Sequence, residues 1–256
     1  MLLLETKNLS KKFGGLDALT GVEFKMSPGE IVSLIGPNGA GKTTFFNLLT
    51  GVTEPSSGEI LFSGELINGF PSHWIIARGI ARTFQNIRLF PNMTALENAM
   101  VGRHCRTRSE VFSALFRTRA FYREESEIER SAKEMLSFVG LLPVGNLLAK
   151  NLPYGDQRKL EIARALLTEP RLLLLDEPTA GMNPSESKEL ILLIEKIRQQ
   201  GVSILLIEHQ MRVVMGISDR VVVLDHGIKI AEGNPRQIQT NPEVIEAYLG
   251  GHIPHA

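Results

Sequence analysis

Residues 36–43 read Gly-Pro-Asn-Gly-Ala-Gly-Lys-Thr, between an apolar run at 31–35 and a stretch at 44–51 that ends in glycine. This order predicts a buried strand, a glycine-rich turn and a helix that begins near Lys42. Glycines let successive N–H groups point at one centre, where the helix adds the positive end of its dipole. The stretch therefore predicts a polyphosphate site in which the Lys42 ammonium reaches the outer phosphates and the Thr43 hydroxyl takes a Mg²⁺ position. A chance glycine turn before a helix is the alternative, and the strand–turn–helix context disfavours it.

Whole-chain composition narrows the possible classes of protein. The chain has 256 residues, and its 28 lysines and arginines balance 28 aspartates and glutamates, so overall charge gives no argument for binding nucleic acid or an anionic membrane. A single cysteine, Cys105, rules out an intrachain disulfide and suits a reducing compartment. No apolar run approaches the length of a membrane span, and the N-terminus is too soon acidic for a secretory signal. We expect a soluble, cytoplasmic protein that can still dock on a membrane protein.

A second informative stretch, residues 171–178, reads Arg-Leu-Leu-Leu-Leu-Asp-Glu-Pro. Four consecutive leucines indicate a strand buried on both faces of a parallel sheet, and two carboxylates at its end require partners or a metal. Ligands of open α/β sheets bind at the carboxyl ends of the strands, which favours Asp176 toward Mg²⁺ and Glu177 toward an attacking water. A helix start capped by acidic residues is the alternative, and Pro178 and Gly181 disfavour it.

Two further strand ends carry candidate side chains. The apolar strand 201–207 ends in Glu208 and His209, and we favour contact of His209 with a γ-phosphate over a purely structural histidine. Residues 81–85 read as a strand that empties into a loop at 86–93. Gln85 at that strand end can offer its amide oxygen to a metal or a water, although an ordinary surface glutamine is the default interpretation.

The amino-terminal part of the chain reads as short strands at 3–9 and 19–26, separated by the turn 11–15. Phe13 lies in that polar, glycine-flanked turn, where its ring can stack on a nucleobase or simply cap the core, and spacing alone does not choose between the two. Further on, residues 56–58 predict a turn, 59–62 a strand and 71–78 a helix with proline at its start.

Residues 94–150 change to helical periodicity, with one apolar face formed by Ile128, Ala132, Met135, Leu136 and Val139. Their front part is basic, and by default we interpret it as a solvated face: Arg103, His104, Arg106, Arg108, Arg117, Arg119 and Arg123. A helix follows through Leu167, another contains Leu190, Leu193, Ile194 and Ile197, residues 221–230 predict a hairpin with a glycine turn, and two short helices close the chain, the second at 242–249.

Taken together, the order of these motifs resembles the ATP-binding cassette ATPases over nearly the whole chain. Within that family it looks most like the ATPase subunit of branched-chain amino acid importers. The basic segment also fits that group. The closer match is carried by residues 154–158 (Tyr-Gly-Asp-Gln-Arg), 207–209 (Ile-Glu-His), 215–220 (Met-Gly-Ile-Ser-Asp-Arg) and 241–250 (Asn-Pro-Glu-Val-Ile-Glu-Ala-Tyr-Leu-Gly).

The resemblance implies a role for each matching residue. Phe13 would stack on adenine, Thr43 and Gln85 would flank Mg²⁺ with Asp176 acting through water, Glu177 would be the general base and His209 would sense the γ-phosphate. Lys42 would neutralise charge on the transferring phosphoryl group. ATP would be held by the P-loop residues Gly36, Asn38, Gly39, Ala40, Gly41, Lys42, Thr43 and Thr44, and the partner subunit's ATP would be contacted by Pro153, Tyr154, Gly155 and Asp156.

The resemblance also implies a fold and partners. The fold is an α/β P-loop NTPase core (1–93 and 151–256) with an antiparallel β subdomain and an inserted α-helical subdomain (94–150) that extends into the helix at 151–168. The partners are two membrane-spanning permease subunits, a second ATPase and, indirectly, a solute-binding protein, with no nucleic acid. The location is the cytoplasmic face of a membrane, and hydrolysis with dimer opening drives transport.

Two departures from the family pattern concern the contacts between subunits. Pro153 and Tyr154 stand where the family has serine and glycine, and proline has neither a hydroxyl nor an N–H to donate. Asn183 stands where an aspartate is usual. We therefore hypothesise a heterodimer with a related ATPase, a homodimer being the alternative.

Other open interpretations are the ATPase of a lipid or lipopolysaccharide exporter, a soluble cassette ATPase acting on DNA or the ribosome, and a small-molecule kinase.

Overall fold

The computed structural model of the chain describes residues 1–104 and 119–249. Much of the basic segment 103–123 lies outside them, including Cys105, Arg106, Arg108 and Arg117. In the part of the chain that is described, no helix combines the length and apolar character needed to cross a bilayer.

One sheet is built on the amino-terminal hairpin. Strands β1 (Leu4–Phe13) and β2 (Leu16–Met26) pair antiparallel, and β1 also pairs with β4 (Ser57–Phe62), beside which the short β5 (Glu65–Leu66) completes the antiparallel sheet. The strands predicted at 3–9 and 19–26 were too short, because the hairpin turns only at Gly14-Gly15 and Phe13 pairs with Leu16. The predicted turn at 56–58 was also wrong in part, since Ser57 and Gly58 belong to β4.

The second sheet places the strands in the order β10-β9-β3-β8-β7-β6. Strands β3, β6, β7, β8 and β9 run parallel to one another, and β10 is antiparallel to β9. The predicted strand at 81–85 is wrong in its bounds, because pairing ends at Arg82. The strands are β3 (Ile31–Ile35), β6 (Ile80–Arg82), β7 (Leu172–Asp176), β8 (Ser203–Ile207), β9 (Arg220–Asp225) and β10 (Ile228–Gly233).

The helices fall close to the predicted positions. Their bounds are α1 (Lys42–Leu49), α2 (Ser72–Arg78), α3 (Ala95–His104), α4 (Arg119–Phe138), α5 (Tyr154–Leu166), α6 (Pro184–Gln199), α7 (Met211–Ile217), α8 (Pro235–Gln239) and α9 (Pro242–Leu249), with 3₁₀ turns at Leu142–Val144 and Ala149–Asn151. The β9–β10 turn at His226-Gly227 has positive φ at both residues, as a two-residue hairpin requires.

The four-leucine strand β7 explains how the sheet is packed. Its side chains alternate, so that Leu172 and Leu174 belong to the core cluster that contains Phe45 and Phe46 of α1, while Leu173 and Leu175 belong to the cluster on the other face. A strand covered on both faces has no solvated side, which is why it reads as a continuous apolar run.

The helical segment after residue 94 shares its core with the sheet. The predicted apolar face of α4 is buried at Ile128, Ala132, Leu136 and Val139, and three of these side chains lie in one cluster with Leu173 and Leu175 of β7. Thr94 bridges to Leu148, so the segment starts and ends at neighbouring points. These contacts are compatible with an inserted lobe, and the subdomain boundaries stay a prediction.

Candidate functional site

Three adjacent strands end at the same level of the parallel sheet. Ile207, the last residue of β8, is in register with Leu34 of β3 on one side and with Asp176 of β7 on the other. The residues that follow each strand therefore emerge side by side at one edge. They are the P-loop after β3, Glu177 after β7, and Glu208 and His209 after β8.

The P-loop after β3 depends on glycine for steric reasons. A Cβ at Gly36 would lie 2.0 Å from the Leu224 carbonyl oxygen, and one at Gly41 would lie 2.6 Å from that of Ala18. Gly39 and Gly41 both have positive φ. Helix α1 then begins at Lys42 without a side-chain cap and without an acidic residue in its first turn. Its first N–H groups are accordingly available to an anion, as phosphate binding requires.

The side chain of Lys42 folds back against the P-loop that precedes it. Its side chain is buried, and its Nζ donates to the carbonyl oxygens of Gly36 at 2.7 Å and Pro37 at 2.8 Å. Burial lowers the pKa of the Lys42 ammonium from its ordinary value, while the charges of Glu177 and Asp176 act in the opposite direction. Lys42 is therefore close enough to Asp176 and Glu177 for their charges to act on it, as predicted.

The Glu177 carboxylate contacts two other predicted site residues, His209 and Gln85. Its Oε1 lies 2.6 Å from Nε2 of His209, and its Oε2 accepts a hydrogen bond from Nε2 of Gln85 at 3.0 Å. Glu177 has φ of 47°, a left-handed conformation that a residue with a side chain adopts rarely, and its N–H donates to the Ile207 carbonyl. Backbone strain of this kind concentrates at functional sites. The structure thus brings Gln85, Glu177 and His209 together.

Asp176 has a partner that the sequence did not identify. Nη2 of Arg82, at the end of β6, lies 2.8 Å from Oδ2 of Asp176, and both side chains are 6% exposed. The same guanidinium donates to Oδ1 of Asn47 on α1 at 2.7 Å. The expected compensation of a buried carboxylate is supplied here by an arginine, which binds β6, β7 and α1 together.

Glu208 was noted only as the neighbour of His209, but it is 2% exposed. Its carboxylate accepts hydrogen bonds from the backbone N–H groups of Thr179, His209 and Gln210. A charged residue directly after the apolar run 204–207 was the available signal.

The other candidate residues lie around this centre. Thr43 and Thr44 are the second and third residues of α1, Asn38 and Ala40 lie in the P-loop, and Thr43 and Asn38 are exposed. Phe13 is 46% exposed at the end of β1, at the tip of the hairpin whose second strand places Ala18 against Gly41. Lys11 Nζ lies over the Phe13 ring, 4.9 Å from its centroid, in a cation–π contact.

The start of α5 packs against the segment that precedes α6. Pro153 and Tyr154 are exposed, and the Tyr154 ring lies beside Gly181, while Gly155 lies beside Glu186. Asn183 caps α6, since its side chain accepts from the N–H groups of Ser185 and Glu186. The asparagine at this departure from the family pattern thus has a structural use.

Arg158, a completely buried arginine, connects α5 to the loop that carries Gln85. Its Nη1 donates to the Phe84 carbonyl at 2.7 Å, its Nη2 donates to the Gln85 carbonyl at 2.8 Å, and it is paired with Glu161 at 2.8 Å. Glu161 in turn accepts from the N–H of Arg88. The Gln85 loop is therefore held by helix α5, a connection that local sequence patterns did not indicate.

The donors available at the sheet edge fit Mg²⁺ chemistry. The hydroxyl of Thr43, the amide of Gln85 and the carboxylate of Asp176 are oxygen donors of the kind that Mg²⁺ prefers. Because the Gln85 nitrogen donates to Glu177, its amide oxygen is left for another partner. The part of the chain that is described holds no group of three or more His, Cys, Asp or Glu side chains that could bind a metal by itself. A metal here would take its remaining ligands from phosphate oxygens and water.

Comparison with known proteins agrees with this geometry. A family model described as ABC transporter matches residues 19–180, and one described as branched-chain amino acid ATP-binding cassette transporter matches residues 229–253. The chain is 50% identical to the high-affinity branched-chain amino acid transport ATP-binding protein BraF of Pseudomonas aeruginosa over 97% of this chain and 98% of that protein. The corresponding protein LivG of Escherichia coli K12 is also 50% identical, with the same coverage.

Solved structures give the same result. A nucleotide-free ATP-binding cassette from an ABC transporter superposes with a TM-score of 0.86 at 31% identity, covering 98% of this chain and 100% of that one. A dimeric ATP-binding cassette in a post-hydrolysis state, bound to ADP and Pi, superposes with a TM-score of 0.77 at 26% identity, covering 91% of this chain and 99% of that one. With a family model over most of its length and relatives at half identity, the chain belongs to the ABC transporter family and is an ABC ATPase of the branched-chain amino acid transport ATP-binding group.

Proposed function

We propose that this chain hydrolyses MgATP to energise a membrane importer of branched-chain amino acids. The substrate class comes from the relatives, which are named as branched-chain amino acid transport proteins. The observation that carries the hydrolytic role is the contact of Glu177 with both Gln85 and His209, at the sheet edge where the charge of Lys42 also acts.

The chain's own residues supply the chemistry of hydrolysis. The P-loop N–H groups and Lys42 neutralise charge on the triphosphate, and they do so most strongly where charge builds up on the transferring group. Glu177 accepts a proton from the attacking water as the water oxygen bonds to the γ-phosphorus. The bond between that phosphorus and the bridging oxygen breaks, which releases ADP and phosphate. His209 and Gln85 hold the Glu177 carboxylate in place. His209 would also contact the γ-phosphate, and Gln85 would help to hold the metal.

A bound Mg²⁺ would add Lewis-acid stabilisation of the phosphate charge. Thr43, Gln85 and Asp176 would hold it, Asp176 through water. Arg82 keeps the Asp176 carboxylate compensated at 2.8 Å. The half-exposed Phe13 ring would stack on adenine.

The assembly that we propose contains a second ATPase and two membrane-spanning permease subunits, at the cytoplasmic face of the membrane. The start of α5 in one ATPase would cover the nucleotide of the other, with Gly155 offering its N–H. Because Pro153 has no N–H to donate, we propose a heterodimer with a related ATPase. ATPase rate against protein concentration, alone and with a candidate second ATPase, tests this point. Strong cooperative turnover by the chain alone would contradict it.

Transport tests the substrate class. Proteoliposomes that contain the chain, its permeases and an added solute-binding protein should take up leucine with ATP hydrolysis, and a Glu177→Gln complex should not. Unrelated solutes serve as the control. Uptake that does not prefer leucine, or outward movement of a lipid by the same complex, would overturn the importer assignment.

A further inference from the structure

Glu208 and Glu177 emerge from neighbouring strands but differ in their surroundings. Ile207 is in register with Asp176, so the two glutamates follow β8 and β7 at the same level. Glu177 faces Gln85 and His209, whereas Glu208 is 2% exposed. A carboxylate buried to this degree stays charged only if hydrogen bonds replace its water.

The hydrogen bonds of Glu208 divide evenly between its two oxygens. Oε1 accepts from the Thr179 N–H at 3.1 Å and from the Thr179 hydroxyl. Oε2 accepts from the N–H groups of His209 at 2.9 Å and Gln210 at 3.1 Å. One oxygen therefore binds the loop after β7, and the other binds the loop after β8.

These hydrogen bonds connect Glu208 to the loops that carry Glu177 and His209. Thr179 is joined to Glu177 by Pro178 alone, whose ring fixes its φ angle. His209 is the residue after Glu208. Each arm of the carboxylate therefore holds one member of the pair whose side chains meet at 2.6 Å.

We propose that Glu208 is a positioning residue for hydrolysis, which holds Glu177 and His209 in register by clamping the two loops. The proposal rests on the proposed role of Glu177 as the general base. The clamp requires a carboxylate, because both of its ends face two donors and only an acceptor at each end can satisfy them. An amide of the same shape would place its NH₂ group against at least one backbone N–H at whichever end it occupies, since the Thr179 N–H lies at one end and the His209 and Gln210 N–H groups lie at the other.

The test is Glu208→Gln in the full chain, measured in the assembly that turns over ATP. We expect kcat to fall about tenfold to a hundredfold, the range that a displacement of up to about 1 Å costs a reacting group. KM and the dissociation constant for MgATP should change less than about twofold, because the P-loop is untouched. A crystal structure of the variant should show the Glu177–His209 contact lengthened beyond hydrogen-bonding distance.

Asp219→Asn is the matched control. Asp219 Oδ2 accepts the Ile31 N–H at 2.8 Å, and so links two strands of the same sheet at the opposite edge. The control should keep wild-type kcat even if it lowers the melting temperature. Equal loss of kcat in both variants would identify a general stability effect and overturn the proposal, as would a Glu208→Gln variant with wild-type kcat or an unchanged Glu177–His209 contact.

Thr179→Val serves if Glu208→Gln does not fold. It removes only the hydroxyl donor from one arm and should lower kcat with KM unchanged, whereas an unchanged kcat would then overturn the proposal. Glu177→Gln separates the two levels of inference. If that variant turns over normally, the proposed base is wrong; if it is inactive while Glu208→Gln is normal, only the clamp is wrong.

Discussion

Arg82 Nη2 and Asp176 Oδ2 lie 2.8 Å apart in a pair whose side chains are both 6% exposed. The pair joins the last residue of β6 to the last residue of β7. Removing one partner of a buried ion pair leaves the other charge uncompensated, whereas removing both can be nearly neutral.

Arg82→Met should therefore destabilise the nucleotide-free chain by about 3–5 kcal/mol, and adding Asp176→Asn should recover much of that loss. Chemical denaturation of the two variants measures the difference. The control is Lys12→Met at the exposed Lys12–Asp17 pair, where side chains are 64% and 52% exposed and a change of at most about 1 kcal/mol is expected. A double variant no more stable than Arg82→Met would contradict the pairing argument.

Glu177→Gln should retain ATP but lose hydrolysis. The amide keeps the size of the side chain but cannot take a proton from water, so turnover should fall about a hundredfold or more. ATP affinity should be kept, and the variant should accumulate as a closed, ATP-bound dimer. Phosphate release and size-exclusion chromatography with ATP measure the two effects. Unchanged turnover would remove Glu177 from the role of base.

The sequence predicted the site residues that follow strands, because strand ends of a parallel sheet share one edge. Glu177 and His209 were located in this way, whereas Gly36 and Lys42 were located by the glycine-rich stretch 36–43 between a strand and a helix. The sequence also predicted that Asp176 needs a partner. It could not name Arg82, since the two residues are 94 positions apart and no periodic pattern links them.

Arg158 is a second residue whose contacts the sequence could not predict. It stands in a polar stretch of sequence, and yet it is completely buried because it binds the carbonyl groups of Phe84 and Gln85. The hairpin of β1 and β2 was predicted too short because Lys11 and Lys12 are polar. In an antiparallel pair with solvated side chains, backbone pairing continues through polar residues until Gly14-Gly15 allows the turn.

Glu232 on β10 should make stability depend on pH in the acidic range. Burial raises its pKa, but the hydrogen bonds and charges of Lys229 and Arg220 outweigh burial, so that the pKa in the folded chain lies below the ordinary value. A depressed pKa contributes stability above the pKa of the unfolded chain, and that contribution is lost as pH falls through the folded pKa. Glu232→Gln should thus be less stable at neutral pH by at most about 1 kcal/mol, with the difference vanishing at low pH. A difference that grows on acidification, in denaturation curves at several pH values, would contradict the assignment.

Two glycines allow the P-loop to be tested apart from stability. Gly39 has φ of +82° and Gly140, after α4, has φ of +80°, and a Cβ at either position would meet no atom within 4 Å. Alanine at each should therefore cost a similar amount, about 1 kcal/mol, from left-handed strain alone. Only Gly39→Ala should weaken MgATP binding, because relief of that strain turns the peptide groups that face the phosphates. Thermal unfolding checks that the two costs match, and nucleotide titration checks the affinity. If both variants bind MgATP like the wild type, the backbone around Gly39 does not hold the phosphates; if both bind equally weakly, the effect follows stability and not the loop.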